Sequence, residues 1–325
     1  MDKRTRLLNA MDCKPVDRVP VTFYTHCMTK EDLEDNAVSA QLKWYHDCNM
    51  DFLCIEPDGY MEYRKGVPVQ NLADWKDLKG YSRNDRYFTG QLDRAARITE
   101  GIKDGGCTYY MVFTPFTTIK HTIGGETRIM ELYRENRGIL TEAMKVIEEN
   151  TFLLCDLLMR ETGITGIFVA LQNGEDWRFS KEEYEEYLSP WDRRLLAHAN
   201  SLSDYNITHL CSWTGVPNNL ELWKNYDYKT VNWSAGIEKD MDLRQARSFF
   251  KPNTALMGGF DNTPNGILYL GDEKQIKEHT AAQLTLAGQT GTILCGDCSV
   301  QTDQDPKKVR YVIEACEEYA VNHRR

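Results

Sequence analysis

Basic residues are in deficit: 39 Lys and Arg stand against 49 Asp and Glu in 325 residues, a formal charge of −10. Nucleic-acid binding draws on Lys and Arg contacts to phosphate, so no nucleic-acid partner is expected. Long apolar runs are missing too. No stretch approaches the roughly 18 residues that a membrane span needs, and residues 1–12 are charged and helical in pattern rather than a secretory apolar segment. A soluble, cytoplasmic protein without membrane contact is the expectation. Ten cysteines are present but scattered through a large chain, several within apolar patterns such as Cys54, Cys155 and Cys316. They read as reduced thiols rather than a disulfide framework.

What the chain does have is alternation. Short β-branched or apolar runs at 19–24, 52–56, 109–113, 166–171, 207–211, 230–233, 255–259 and 291–294 read as strands. Helical patterns follow at 38–48, 128–160, 181–202, 273–287 and 306–319, with Ser180 and Glu183 forming a capping box and Pro306 suiting a first turn. Eight strands alternating with helices predict an α/β fold, a single (β/α)8 TIM-type barrel over residues 1–325 with an N-terminal helical extension. The polar stretch 63–90 reads as a surface excursion.

The chemistry-bearing pattern is Thr208-His209-Leu210-Cys211, answered 87 residues later by Cys298 in Cys295-Gly296-Asp297-Cys298. Residues two apart on a strand face the same way, so His209 and Cys211 share a side. Both halves fall just past strand-like runs, where a barrel of this kind places its chemistry. An imidazole and two thiolates are a zinc ligand set that leaves a fourth position open.

The order of motifs resembles the uroporphyrinogen decarboxylase superfamily. The likeness runs from Val16-Asp17-Arg18-Val19-Pro20-Val21 through Ser180-Lys181-Glu182-Glu183-Tyr184, His209-Leu210-Cys211 and Gly258-Gly259-Phe260-Asp261 to Gly296-Asp297-Cys298 and Asp305-Pro306. It covers nearly the whole chain and implies a (β/α)8 barrel. The decarboxylases themselves place arginines after their Asp-Arg-x-Pro segment to bind a polycarboxylate, whereas this chain has Val21-Thr22-Phe23-Tyr24-Thr25-His26-Cys27, with none. The resemblance therefore points to the branch of corrinoid-dependent methyltransferases, in which His209, Cys211 and Cys298 match the zinc ligands. Cys298 is the expected ligand and Cys295 the packed strand residue; an earlier strand end exchanges the two. Glu175, after the strand 166–171, is the candidate fourth ligand, with a cap or surface carboxylate as the alternative.

No Asp-x-His-x-x-Gly corrinoid signature occurs in the chain, so the cobalamin is expected on a separate corrinoid protein. Near the predicted strand ends stand Phe23, Tyr24, Phe113, Phe116, Trp177, Trp213, Trp233 and Phe260, while basic residues there are few, chiefly Lys120 and Arg178. Aromatic walls suit a flat apolar substrate. Tyr24, Phe116, Trp177, Trp213, Trp233 and Phe260 are the expected substrate contacts, and an aryl methyl ether the expected methyl donor. His26 and His121 are candidates to orient a phenolic oxygen or relay a proton, and Glu56 to hold a substrate hydroxyl or support His209. The competing expectations are transfer from a methyl-corrinoid protein to a thiol such as coenzyme M or to tetrahydrofolate, porphyrin decarboxylation, and a non-catalytic corrinoid-protein scaffold, which needs no metal.

Overall fold

The computed structural model describes residues 1–26, 33–63, 69–238 and 241–323. Seven parallel strands, β1 (Phe52–Ile55), β2 (Cys107–Phe113), β3 (Gly166–Leu171), β4 (Ile207–Leu210), β5 (Thr230–Trp233), β6 (Ala255–Phe260) and β7 (Thr292–Gly296), pair strictly in chain order. Helices follow the strands, except that β4 and β5 are joined through a single 3-10 turn at Leu220–Leu222, and the sheet curls in the manner of a TIM-type α/β barrel.

The first expected strand, 19–24, is not one. It makes two isolated parallel bridges, Val21 to Leu294 and Thr25 to Val300, and a complete eight-stranded barrel is not formed. Pro20 has no N–H to give to a ladder. A few backbone bonds remain, Thr22 N–H to the Leu294 carbonyl at 3.1 Å and Leu294 N–H to the Pro20 carbonyl at 3.0 Å, and side chains supplement them: Val21 N–H donates to Asp51 Oδ2 at 2.8 Å and Thr22 Oγ1 to the Phe52 carbonyl at 2.7 Å.

Alternation along the strands splits the core into two layers. Leu53, Tyr110, Val169, Leu210 and Leu256 face outward onto the helices. Phe52, Tyr109, Met111, Phe168, Met257 and Ile293 fill the interior. Helix α1 (Lys3–Met11) adds Leu7, Ala10 and Met11 to that interior, packing against β1, β2 and β7. Its start is capped by Asp2, which accepts from Thr5 N–H. Arg6 of α1 and Arg18 both reach the fully buried Asp51 at 2.7 Å, so one carboxylate is neutralised by two guanidiniums and pins α1 to the segment ahead of β1.

Several expected boundaries move. The pattern 181–202 is two helices, Lys181–Tyr187 and Ser189–Leu202, broken at Leu188 before Pro190; the Ser180–Glu183 capping box forms as expected. The helix Glu126–Glu161 is interrupted by non-helical backbone at Asn136. The stretch 63–90 is not a surface excursion: Tyr63, Trp75 and Phe88 are buried in the outer core, their spacing masked in sequence by the charges between them; residues 64–68 lie outside the described residues. Among the described residues, no helix is long and apolar enough to cross a membrane.

Candidate metal and substrate site at the barrel mouth

The C-terminal ends of the strands converge on one cluster. His209 points inward from β4, and Cys211 follows, held in register because its N–H donates to the Leu171 carbonyl of β3 at 2.9 Å. Cys298 arrives from the turn after β7. The ligand atoms of His209, Cys211 and Cys298 all lie within 4.8 Å of one another, and His209 and Cys211 are buried. Neither ring nitrogen of His209 has a hydrogen-bond partner. Such a buried imidazole is costly unless something binds it. The hydrogen bond from Cys211, against the pull of burial, and the neighbouring His209 hold the Cys298 thiol well below its usual range, while the same bond and burial push Cys211 up. An imidazole with neither nitrogen engaged beside two thiols suits a borderline-soft cation, and zinc fits that donor set.

The loop behind the cluster is tied by Glu238, which sequence reading missed. Its buried carboxylate accepts from Ser212 Oγ at 2.5 Å and from the Asn218 N–H at 2.8 Å, and Asn218 Nδ2 donates to the Cys211 carbonyl at 3.2 Å. Beneath the cluster, Asn232 of β5 accepts from the Tyr24 hydroxyl at 3.1 Å and donates to the carbonyls of Met257 and Gly296, so a single amide braces the floor.

Above the floor opens a cavity of about 760 Å³, with Met61, Met111, Phe113, Trp213 and Ile237 as apolar walls. Tyr24, His26, Glu56 and His121 line it as well, in keeping with their expected place at the mouth. Burial opposes the charge of His26, but Glu56, at 3.8 Å, and Asp58, at 2.8 Å, raise it to about 9. Burial pushes Glu56 up to about 8 and His121 down to about 3. At neutral pH Glu56 is largely protonated and His121 neutral, so the charge on His26 is held by the Asp58 hydrogen bond rather than by Glu56.

The expected aromatic ring is mostly not there. Of its proposed members, Tyr24 and Trp213 line the cavity, together with Phe113. Trp233 directly follows the inward Asn232 and so faces outward, where it packs on Phe250 and donates to the Met241 carbonyl at 2.8 Å. Phe116 lies against Phe179 and Tyr187, and Phe260 against Phe23 and His279; both are buried in the outer layer. Trp177 is 48% exposed, covers Arg178 and does not line the cavity.

Glu175 is not brought to the cluster. Its oxygens are taken by Arg178 Nε at 3.0 Å and Thr214 Oγ1 at 3.1 Å. Arg178 also pairs with Glu126, which in turn holds Lys120 at 3.1 Å. Cys295 is fully buried in the barrel interior and outside the cluster. Cys27 lies outside the described residues. A second residue missed in sequence is Arg94, fully buried in the helix Arg86–Gly101, whose Nη1 donates to the carbonyls of Asp58 and Glu56 at 2.8 and 3.2 Å. Like Glu238, it stands alone in the sequence, far from any motif.

Residues 61–319 match the family Uroporphyrinogen decarboxylase (URO-D). No curated protein sequence matches the chain. Among solved structures, a methyltransferase from Methanosarcina mazei superimposes with a TM-score of 0.78 at 15% identity, covering 98% of this chain and 99% of that one. A B12-independent methionine synthase from Shewanella sp. W3-18-1 gives 0.51 at 13% identity over 95% of both chains. A glycoside hydrolase family 5 enzyme from Prevotella bryantii B14 gives 0.53 at 10% identity, over 96% of this chain and 98% of that one. At these identities the likeness is one of fold, and function has to be argued from the site.

Proposed function

Since the chain belongs to the uroporphyrinogen decarboxylase family, we propose that it is a methyltransferase of that family, moving a methyl group from an aryl methyl ether to the cobalt of a corrinoid carried by a separate protein. His209, Cys211 and Cys298 would hold a zinc ion. The observation that carries this reading is a soft-donor cluster, with ligand atoms within 4.8 Å of one another, at the floor of an apolar-walled cavity of about 760 Å³.

Zinc, when bound, supplies a Lewis acid that stabilises a departing phenolate oxygen. The chain's own groups do the rest. Tyr24, Met111, Phe113 and Trp213 hold a flat ring and keep water from it. His26, anchored to Asp58, keeps a positive charge at the mouth against which negative charge on oxygen can develop. His121 is kept neutral by burial and serves as an uncharged hydrogen-bonding edge. A polycarboxylate would find little here, since the basic residues lining the cavity among the described residues, His26 and Lys120, are each already paired with an acid.

The test is to supply a reduced corrinoid protein and 2-methoxyphenol, following phenol release by chromatography and the cobalt spectrum. Demethylation that disappears in Cys211→Ala supports the reading. Inert ethers, together with methylation of a thiol or of tetrahydrofolate from methylcobalamin, would reverse the direction of transfer.

A further inference from the structure

Resting on that reading, we infer that Glu56, with Gln172, forms a subsite for an uncharged hydroxyl on the methyl donor, so that the cavity selects hydroxylated arenes without a carboxylate. Glu56 is 1% exposed and lines the cavity, yet neither of its oxygens accepts or donates a hydrogen bond. The nearest cation, His26 Nδ1, lies 3.8 Å from Oε2 and is engaged by Asp58 at the shorter 2.8 Å. A buried carboxyl without a partner is costly, and the cost is relieved by a ligand group that can both accept and donate. A hydroxyl is such a group. Burial raises Glu56 to about 8, so at neutral pH it carries one donor and one acceptor of its own.

The group is held in place rather than left to collapse. Arg94, beneath it, grips the carbonyls of Glu56 and Asp58 and fixes the turn that presents both side chains. Just after β3, Gln172 reaches the same cavity, 6% exposed, beside the neutral His121. The subsite therefore offers neutral polar groups beside apolar walls.

Charge argues against a carboxylate there. The lining includes Glu56, Glu62 and Glu126, and its basic members are matched already: Lys120 by Glu126, and His26 by Asp58. Lys120 Nζ makes no hydrogen bond but stands 3.1 Å from Glu126, so an arene carboxylate would have to share each cation of the lining with an acid already beside it.

The probes are 2-methoxyphenol, methoxybenzene and 4-hydroxy-3-methoxybenzoate, titrated by calorimetry into the zinc-loaded wild type, Glu56→Gln and Glu56→Leu. Expected is about tenfold tighter binding of 2-methoxyphenol than of methoxybenzene, the equivalent of one net hydrogen bond, with the benzoate weakest. Glu56→Leu should bring 2-methoxyphenol down to methoxybenzene, and Glu56→Gln, which keeps a donor and an acceptor, should retain most of the difference. Equal binding of all three, or tightest binding of the benzoate, overturns the inference while leaving the methyl-transfer reading standing if ethers are still demethylated. Binding of none of the three overturns both.

Discussion

Thr214 Oγ1 donates to Glu175 Oε1 across 3.1 Å, and with the Asn219 N–H on the Gly174 carbonyl at 2.8 Å this bond ties the loop after β4 to the loop after β3. Arg178 completes the tie from the other side of the carboxylate. Glu175 is thus a brace for the loop that carries Trp213, a few residues beyond Cys211.

Glu175→Gln is accordingly expected to leave the metal content unchanged while destabilising the protein by about 3 kcal/mol, as removing one partner of a buried ion pair does. Urea melts and metal analysis on the same preparation check it. Loss of zinc in this variant would return Glu175 to the ligand set.

Purified protein should contain about one zinc per chain, the ratio expected of a single three-ligand site. Cys211→Ala and Cys298→Ala should each lose it, and Cys295→Ala should keep it, because Cys295 packs inside the barrel away from the cluster. Metal analysis by mass spectrometry reads all three, and full zinc in Cys298→Ala would dissolve the assignment.

The aromatic residues should separate by layer. Trp213→Ala should weaken arene binding with little change in stability, since the ring is 56% exposed and faces the cavity. Trp233→Ala and Phe260→Ala should cost about 3–5 kcal/mol of stability, the usual penalty for emptying a large core site, through loss of outer packing. Calorimetric titration against denaturant melts distinguishes the two classes.

Glu56 also sets a pH dependence. Its folded value of about 8 lies above the ordinary 4.5, so the folded state binds the proton more tightly, and stability falls as pH rises from 4.5 through about 8. His26, raised from 6.5 to about 9, contributes stability that is complete below 6.5 and is lost as pH rises through 9. Both slopes run the same way. Urea melts between about pH 5 and 9 should show a decline that is shallower in Glu56→Gln, by the linkage of proton binding to folding; identical slopes would exclude Glu56 as its source.

What could be read in the sequence follows from what is local. His209 and Cys211 are two apart on a strand, so period two alone puts them on one side, and the parallel strand rhythm located all seven strands to within about two residues, the usual scatter of element boundaries. The same period could have warned that Trp233, next to an inward Asn232, turns away from the cavity. Glu238 and Arg94 were out of reach: each acts through backbone groups brought near by the fold, and no spacing betrays them. Pro20, with no N–H to donate, was the visible sign that 19–24 would pair only in part.

Helix α1 stops the bottom of the barrel with Leu7, Ala10 and Met11, while the cluster lies at the other end. Among the described residues, the cavity at the mouth is the approach to the cluster. On the proposed reading a small ether has to be aboard before the bulky corrinoid carrier settles over that mouth, and the phenol leaves after the carrier has lifted away. Turnover should follow a compulsory sequence, and a large excess of carrier should slow it by occupying empty enzyme as a dead-end complex.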